Sequence, residues 1–126
     1  MTLSELSIKR LKGVNPKLQA VIILAAMRAD FRINVSEGVR SQERQNQMYA
    51  EGKSKTKKGK HLIQADGYGA AVDIYPITFD GKAVDWDKFD DMVKIVKAAA
   101  AELGYEITCG HDWKSFRDSP HFELKS

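Results

Sequence analysis

Ala70-Ala71-Val72-Asp73-Ile74-Tyr75-Pro76 sets one carboxylate inside a run of small, β-branched and aromatic residues. Such a run reads as a strand, and Pro76 is expected to close it. Strand alternation puts Val72 and Ile74 on one face and Asp73 on the other. A carboxylate in an apolar strand is costly to bury unless a charge or a metal compensates it. The alternative is an edge strand with Asp73 in water, and alternation alone leaves both open.

Three further segments share this character. His121-Phe122-Glu123-Leu124-Lys125 alternates, with His121 and Glu123 on one face and Phe122 and Leu124 on the other. Residues 32–36 and 105–109 also read as strands. Between them lie amphipathic helices. Asn15-Pro16 is an N-cap and a helix-starting proline, followed by Leu18, Val21, Ile22, Ala25 and Ala29 at helical spacing to about Asp30. Ser41 caps a second helix to about Glu51, with Gly52 as terminator. Residues 52–68 are loop-like, and Phe79-Asp80-Gly81-Lys82 is a turn. Asp85, Asp87, Asp90 and Asp91 crowd the start of a third helix. Its stripe is Phe89, Met92, Val93, Val96, Ala100 and Leu103, and Gly104 stops it. The expectation is one small α+β domain over residues 1–126, a mainly antiparallel sheet packed with about three helices.

Composition narrows the function classes. With 43% hydrophobic and 29% charged residues, the 126-residue chain is neither disordered nor fibrous. The single cysteine, Cys109, rules out an intrachain disulfide, and no base is assigned to make it a nucleophile. The most apolar stretch, residues 21–27, is too short to cross a bilayer, so no membrane insertion is expected. The first residues show no apolar core or cleavage site of a signal peptide, so synthesis without one is expected. Much of the net charge of +3 sits in Lys53-Ser54-Lys55-Thr56-Lys57-Lys58-Gly59-Lys60. This is either a solvated loop or an attraction to an anionic polymer such as a cell wall. No aromatic residue is interleaved to stack on bases, and no nucleic-acid partner is expected.

The histidines are His61, His111 and His121. Two histidines with one carboxylate match a catalytic zinc shell, whose fourth position is left for water. Spacing gives the facing of Asp73 and His121 and does not show convergence with a third ligand.

The segments VSEGVRSQERQNQMYAEGKSKTKKGKH, GYGAAVDIYP and GHDWKSFRDSPHFEL resemble, in order and wording, the D-Ala-D-Ala carboxypeptidase-like zinc peptidase family, in particular its phage and prophage L-alanyl-D-glutamate peptidases, often described as endolysins. The resemblance covers nearly the whole chain. It implies one zinc ion on His61, Asp73 and His121, in a cleft on the sheet. It also implies Asp118 as catalytic acid/base, Arg40 on the substrate carbonyl or its oxyanion, and Gln45 beside it. Trp113 is read either as a wall of the site or as a core residue.

One departure stands out. The family word is His-x-x-Gly-x-Ala-x-Asp, whereas eleven residues separate His61 from Asp73 here. That is an insertion of about five residues, with Gly69 standing for the motif glycine. Asp66, inside it, is a loop aspartate. Gly59 stands where the family has serine, and His111 is the alternative first ligand.

The function so implied is hydrolysis of the L-alanyl-D-glutamate bond of peptidoglycan stem peptides, lysing the host cell. A monomer is expected, made in the host cytoplasm and reaching the wall through a holin. A D,D-carboxypeptidase or dipeptidase acting on D-Ala-D-Ala is the second reading, and a non-catalytic metal-containing wall-binding module the third. Aspartate at position 118 favours the first, since the carboxypeptidase relatives more often carry glutamate there.

Overall fold

Four antiparallel strands, β1 (Arg32–Glu37), β2 (Ala71–Ile77), β3 (Ile107–Cys109) and β4 (His121–Leu124), form one sheet in the order β1-β2-β4-β3. The computed structural model describes residues 1–54, 56–112 and 120–125. Trp113 and Asp118 lie outside the described residues, and so does the side chain of His111.

The helices are α1 (Glu5–Leu11), α2 (Pro16–Arg28), α3 (Gln42–Ala50) and α4 (Phe89–Leu103). The start of α2 matches its sequence, since the Asn15 side chain accepts from Lys17 N at 2.9 Å and Pro16 holds the first helical position. Ser41 caps α3 by accepting from Arg44 N at 3.0 Å. A 3-10 turn at Trp86–Lys88 precedes α4, Asp90 and Asp91 occupy its first turn, and Gly104 ends it with φ at 79°. Val72, Ile74 and Phe122 from one face of the sheet share a single buried core with Leu18 and Ile22 of α2 and Met92 and Val96 of α4. The alternation expected of β2 and β4 is thereby realised.

One expectation needs correction. Pro76 does not close its strand: β2 continues to Ile77, and Pro76 pairs with Ile33. Ile74 N–H points toward β4, bonding Pro120 O at 2.9 Å, so the imide nitrogen of Pro76 points the same way. The β4 ladder has already ended there, at the Asp73–His121 pair, and the proline interrupts no bond of that ladder.

Among the described residues there are four α-helices, the three expected and the short α1. Its role is to cover the open edge of β1. Val35 N–H donates to Ser7 Oγ at 3.0 Å, and Arg10 Nη1 donates to Val35 O at 3.0 Å. Ser7 is 2% exposed, while Leu6 and Ile8 face solvent. A polar side chain is thus buried here in order to complete the sheet.

Ser7→Ala leaves the buried Val35 N–H without an acceptor and is expected to cost about 1–3 kcal/mol. Urea denaturation should show a lower midpoint at unchanged slope.

Candidate metal centre and active site

Asp73 lies directly opposite His121 across β2 and β4, and opposite Glu37 across β2 and β1. The β1–β2 register runs from Val35 opposite Ile74 to Glu37 opposite Asp73, with an irregularity between. That bulge at Ser36 brings a second carboxylate onto Asp73's row. Asp73 therefore sits in an interior strand, with 16% of its side chain exposed, which settles the choice between edge and interior. The compensation it needs comes from the groups around it.

His61 comes from the loop between α3 and β2. His61 Nε2 is 3.2 Å from Asp73 Oδ1, and His121 Nδ1 is 3.4 Å from the same oxygen. The two rings stand at 5.0 Å between centroids, inclined by 73°. Zinc bonds of about 2.05 Å to nitrogen and oxygen give tetrahedral edges of about 3.3 Å, so these spacings suit an ion of that size. The outward nitrogens are also engaged: His61 Nδ1 meets Gly38 O at 2.8 Å, and His121 Nε2 meets Glu123 Oε1 at 2.7 Å. Such partners fix ring orientation and leave the inward nitrogens as ligands. Among the described residues, His61, Asp73 and His121 form the one group able to hold a metal ion.

Arg40 is a fixed cation beside this group. It is 8% exposed, with Nη2 3.8 Å from Asp73 Oδ2. Its Nε pairs with Glu37, and Nη1 donates to Gln45 Oε1 at 2.8 Å. Gln45 is itself 1% exposed, and its amide nitrogen donates to Ser54 Oγ at 2.9 Å and Thr56 O at 2.6 Å. The expected neighbour of the substrate thus reaches Arg40 and the basic loop. Lys53, Lys57 and Lys58 on that loop are exposed.

The insertion after His61 is a closed excursion. Its neck is held by Ala70 N on Lys60 O (2.6 Å), Arg40 N on His61 O (2.8 Å) and Asn15 N on Gly69 O (2.8 Å). Gln64 N bonds Tyr68 O across its tip at 2.8 Å, and Asp66 is exposed. A Cβ on Gly69 would lie 3.3 Å from His61 O and 3.1 Å from Val39 Cγ2, the close approach expected of the motif glycine. A Cβ on Gly59 meets only ordinary contacts at 3.6 Å, so serine also fits there.

A family model described as phage L-alanyl-D-glutamate peptidase matches residues 1–125. The chain belongs to this family. It is 34% identical over 114 residues to the peptidoglycan L-alanyl-D-glutamate endopeptidase CwlK of Bacillus subtilis (strain 168), a match spanning 79% of this chain and 65% of that protein. The chain thus spans just under two thirds of CwlK's length. The L-alanyl-D-glutamate peptidase of Escherichia phage T5 is 32% identical over 123 residues, covering 93% of this chain and 84% of the phage protein. The crystal structure of the Serratia marcescens L-Ala D-Glu endopeptidase ChiX superposes with a TM-score of 0.87 at 34% identity, over 99% of this chain and 90% of that one.

Within this member of the phage L-alanyl-D-glutamate peptidase family, Glu37, Gly38 and Glu123 are the site residues that sequence reasoning passed over. Glu123 was visible as the face-mate of His121. Gly38 was not: a Cβ there would fall 1.9 Å from Arg10 O, so only glycine lets the segment pass α1 and offer its carbonyl to His61.

Asp73 and His121 shift each other's titration. Burial raises the affinity of Asp73 for a proton, but hydrogen bonds from His121 and His61 outweigh it and hold the carboxyl well below its ordinary range. Burial acts to lower His121, yet its hydrogen bonds to Asp73 and Glu123 raise it to about 9. A histidine raised in the folded state stabilises fully below its ordinary pKa, near 6.5, and loses that contribution as pH climbs through 9. Chelator-treated protein should therefore melt at lower temperature at pH 9.5 than at pH values of about 6. The His121→Gln protein should lose most of that pH dependence.

Proposed function

We propose that this chain is a zinc-dependent endopeptidase that hydrolyses the L-alanyl-D-glutamate bond of peptidoglycan stem peptides. The observation that carries this reading is the His61, Asp73 and His121 set, at spacings that suit a tetrahedral ion, in a chain of this family. The names of CwlK, the phage T5 peptidase and ChiX support the choice of bond.

When bound, zinc supplies an acidified water, its pKa lowered towards 7. The chain's own residues do the rest. Gly38 and Glu123 hold the two rings so that their inward nitrogens would be the ones to hold the metal. Arg40 is aimed by Glu37 and Gln45 beside Asp73, where its guanidinium can take the scissile carbonyl oxygen as charge develops there. Burial and this bracing mean that little of its freedom is lost during the reaction. Asp118, three residues before His121 in Asp-Ser-Pro-His, is assigned by resemblance as the carboxylate that takes the proton of the attacking water and passes it to the leaving amine. From the resemblance too come a monomer, host cytoplasm as the place of synthesis, and a holin as the route to the wall.

Digestion of purified peptidoglycan is expected to expose new D-glutamate amino termini and L-alanine carboxyl termini, to stop with chelator and to resume with zinc. Release of free D-alanine as the sole product would sink this reading in favour of the D,D-carboxypeptidase. Asp118→Asn should keep fold and zinc while slowing turnover about 10²–10⁴-fold. Zinc content, melting temperature and lytic rate on one sample decide it, and near-normal turnover would remove Asp118 from the chemistry.

A further inference from the structure

Tyr75 stands two residues from Asp73 along β2, and alternation gives both side chains the same face of the sheet. Past Ile77 the chain turns back beside β2: Thr78 N bonds Ala83 O at 2.9 Å, and Asp85 N bonds Pro76 O at 2.8 Å. It runs in the lane that β4 occupies further along, and delivers Trp86 next to Tyr75, with ring centroids 6.3 Å apart at 88°. Trp86 stacks on Phe89 at 5.3 Å and 12°, and Phe89 is buried and edge-on to Tyr75 at 6.1 Å. Even so, Trp86 is 65% exposed. One indole face is fixed against Phe89, and most of the side chain remains exposed. A lone exposed hydrophobic residue is ordinary. A flat, braced ring continuous with the face that carries Asp73 is a preformed surface.

We propose that Trp86, braced by Phe89 and Tyr75, is a stacking platform for a pyranose ring of the glycan strand that bears the stem peptide. This rests on the function proposed above. In that substrate the L-alanine is amide-linked to the lactyl ether of an amino sugar, so the sugar lies one residue and one ether arm from the bond to be cut. An extended residue spans about 3.5 Å, and the arm adds a comparable length. Tyr75 stands about 7 Å from Asp73 along β2, and the Trp86 ring lies 6.3 Å from the Tyr75 ring, a reach that the arm covers together with the width of the sugar ring itself. The C–H-rich face of a pyranose is weakly positive and complements the negative face of an indole. The platform would thus read the sugar, while the metal face reads the peptide.

The test compares a sugar-free L-Ala-D-Glu peptide with the same peptide on its disaccharide, using Trp86→Ala and Trp86→Phe proteins of matched melting temperature. For Trp86→Ala, KM for the glycan-bearing substrate should rise by about tenfold with kcat little changed, while the sugar-free peptide shifts less than twofold. Trp86→Phe should recover most of the difference. Calorimetric titration of the zinc-loaded protein with the free disaccharide should show binding that Trp86→Ala abolishes. Equal effects on both substrates, or disaccharide binding indifferent to position 86, would overturn the platform. So would self-association of the wild type that Trp86→Ala abolishes, which would make this face a contact between copies. If the wild type cuts neither substrate, the proposed bond specificity fails, and the titration still judges the platform on its own.

Discussion

Asp73 is a carboxylate in the middle of a sheet, flanked by Val72 and Ile74, both buried in the core. Burying such a charge alone costs several kcal/mol, so the fold is constrained to surround it with partners. His121 arrives by strand register, Glu37's partner Arg40 by a bulge and a turn, and His61 by a loop, with its outward ring nitrogen held by Gly38 O. Each of these comes from a different connection, and each is held by a second polar group further out. The same arrangement that makes Asp73 tolerable makes the centre able to take a cation.

From this carboxylate an ion pair and then hydrogen bonds run outward in a continuous polar line. Asp73 faces Arg40, Arg40 donates to Gln45, and Gln45 donates to Ser54 and Thr56 of the basic loop. The loop that carries most of the chain's excess charge is thereby connected to the site through two buried side chains. Buried polar networks of this kind are stiff when every member is satisfied. Gln45 is better understood as part of this line than as a lone contact to substrate.

Much of this was legible in the sequence, for identifiable reasons. α2 and α4 show in their 3.6-residue apolar spacing and their caps, and β2 and β4 in their alternation, because each buries one face against a common core. α1 did not show, since it spans seven residues and buries Ser7 while exposing Leu6 and Ile8, the reverse of an amphipathic signal. Pro76 misled because a strand breaker is harmless where the neighbouring ladder has ended. The facing of Asp73 and His121 followed from period-two geometry, but the arrival of His61 did not. That placement came only with the resemblance, because a loop histidine carries no periodicity. Glu37 was hidden by the bulge at Ser36, which shifts the register and leaves no trace in the alternation.

The excursion between Leu62 and Tyr68 is pinched at its neck by backbone bonds from Lys60, His61 and Gly69, while its tip is exposed. Apart from Asp66, whose carboxylate accepts from Asn15 Nδ2 at 3.2 Å, the tip is tied mainly to itself, and the neck separates strain or extra length there from the ligands on either side. Loop-closure entropy grows slowly, about 0.6 kcal/mol for each doubling of length. Residues 65–67 consequently form a splice point, where an epitope, a fluorophore-bearing peptide or a small folded cargo could be spliced in. The number of residues between His61 and Asp73 is thus uncoupled from the distance between them in space.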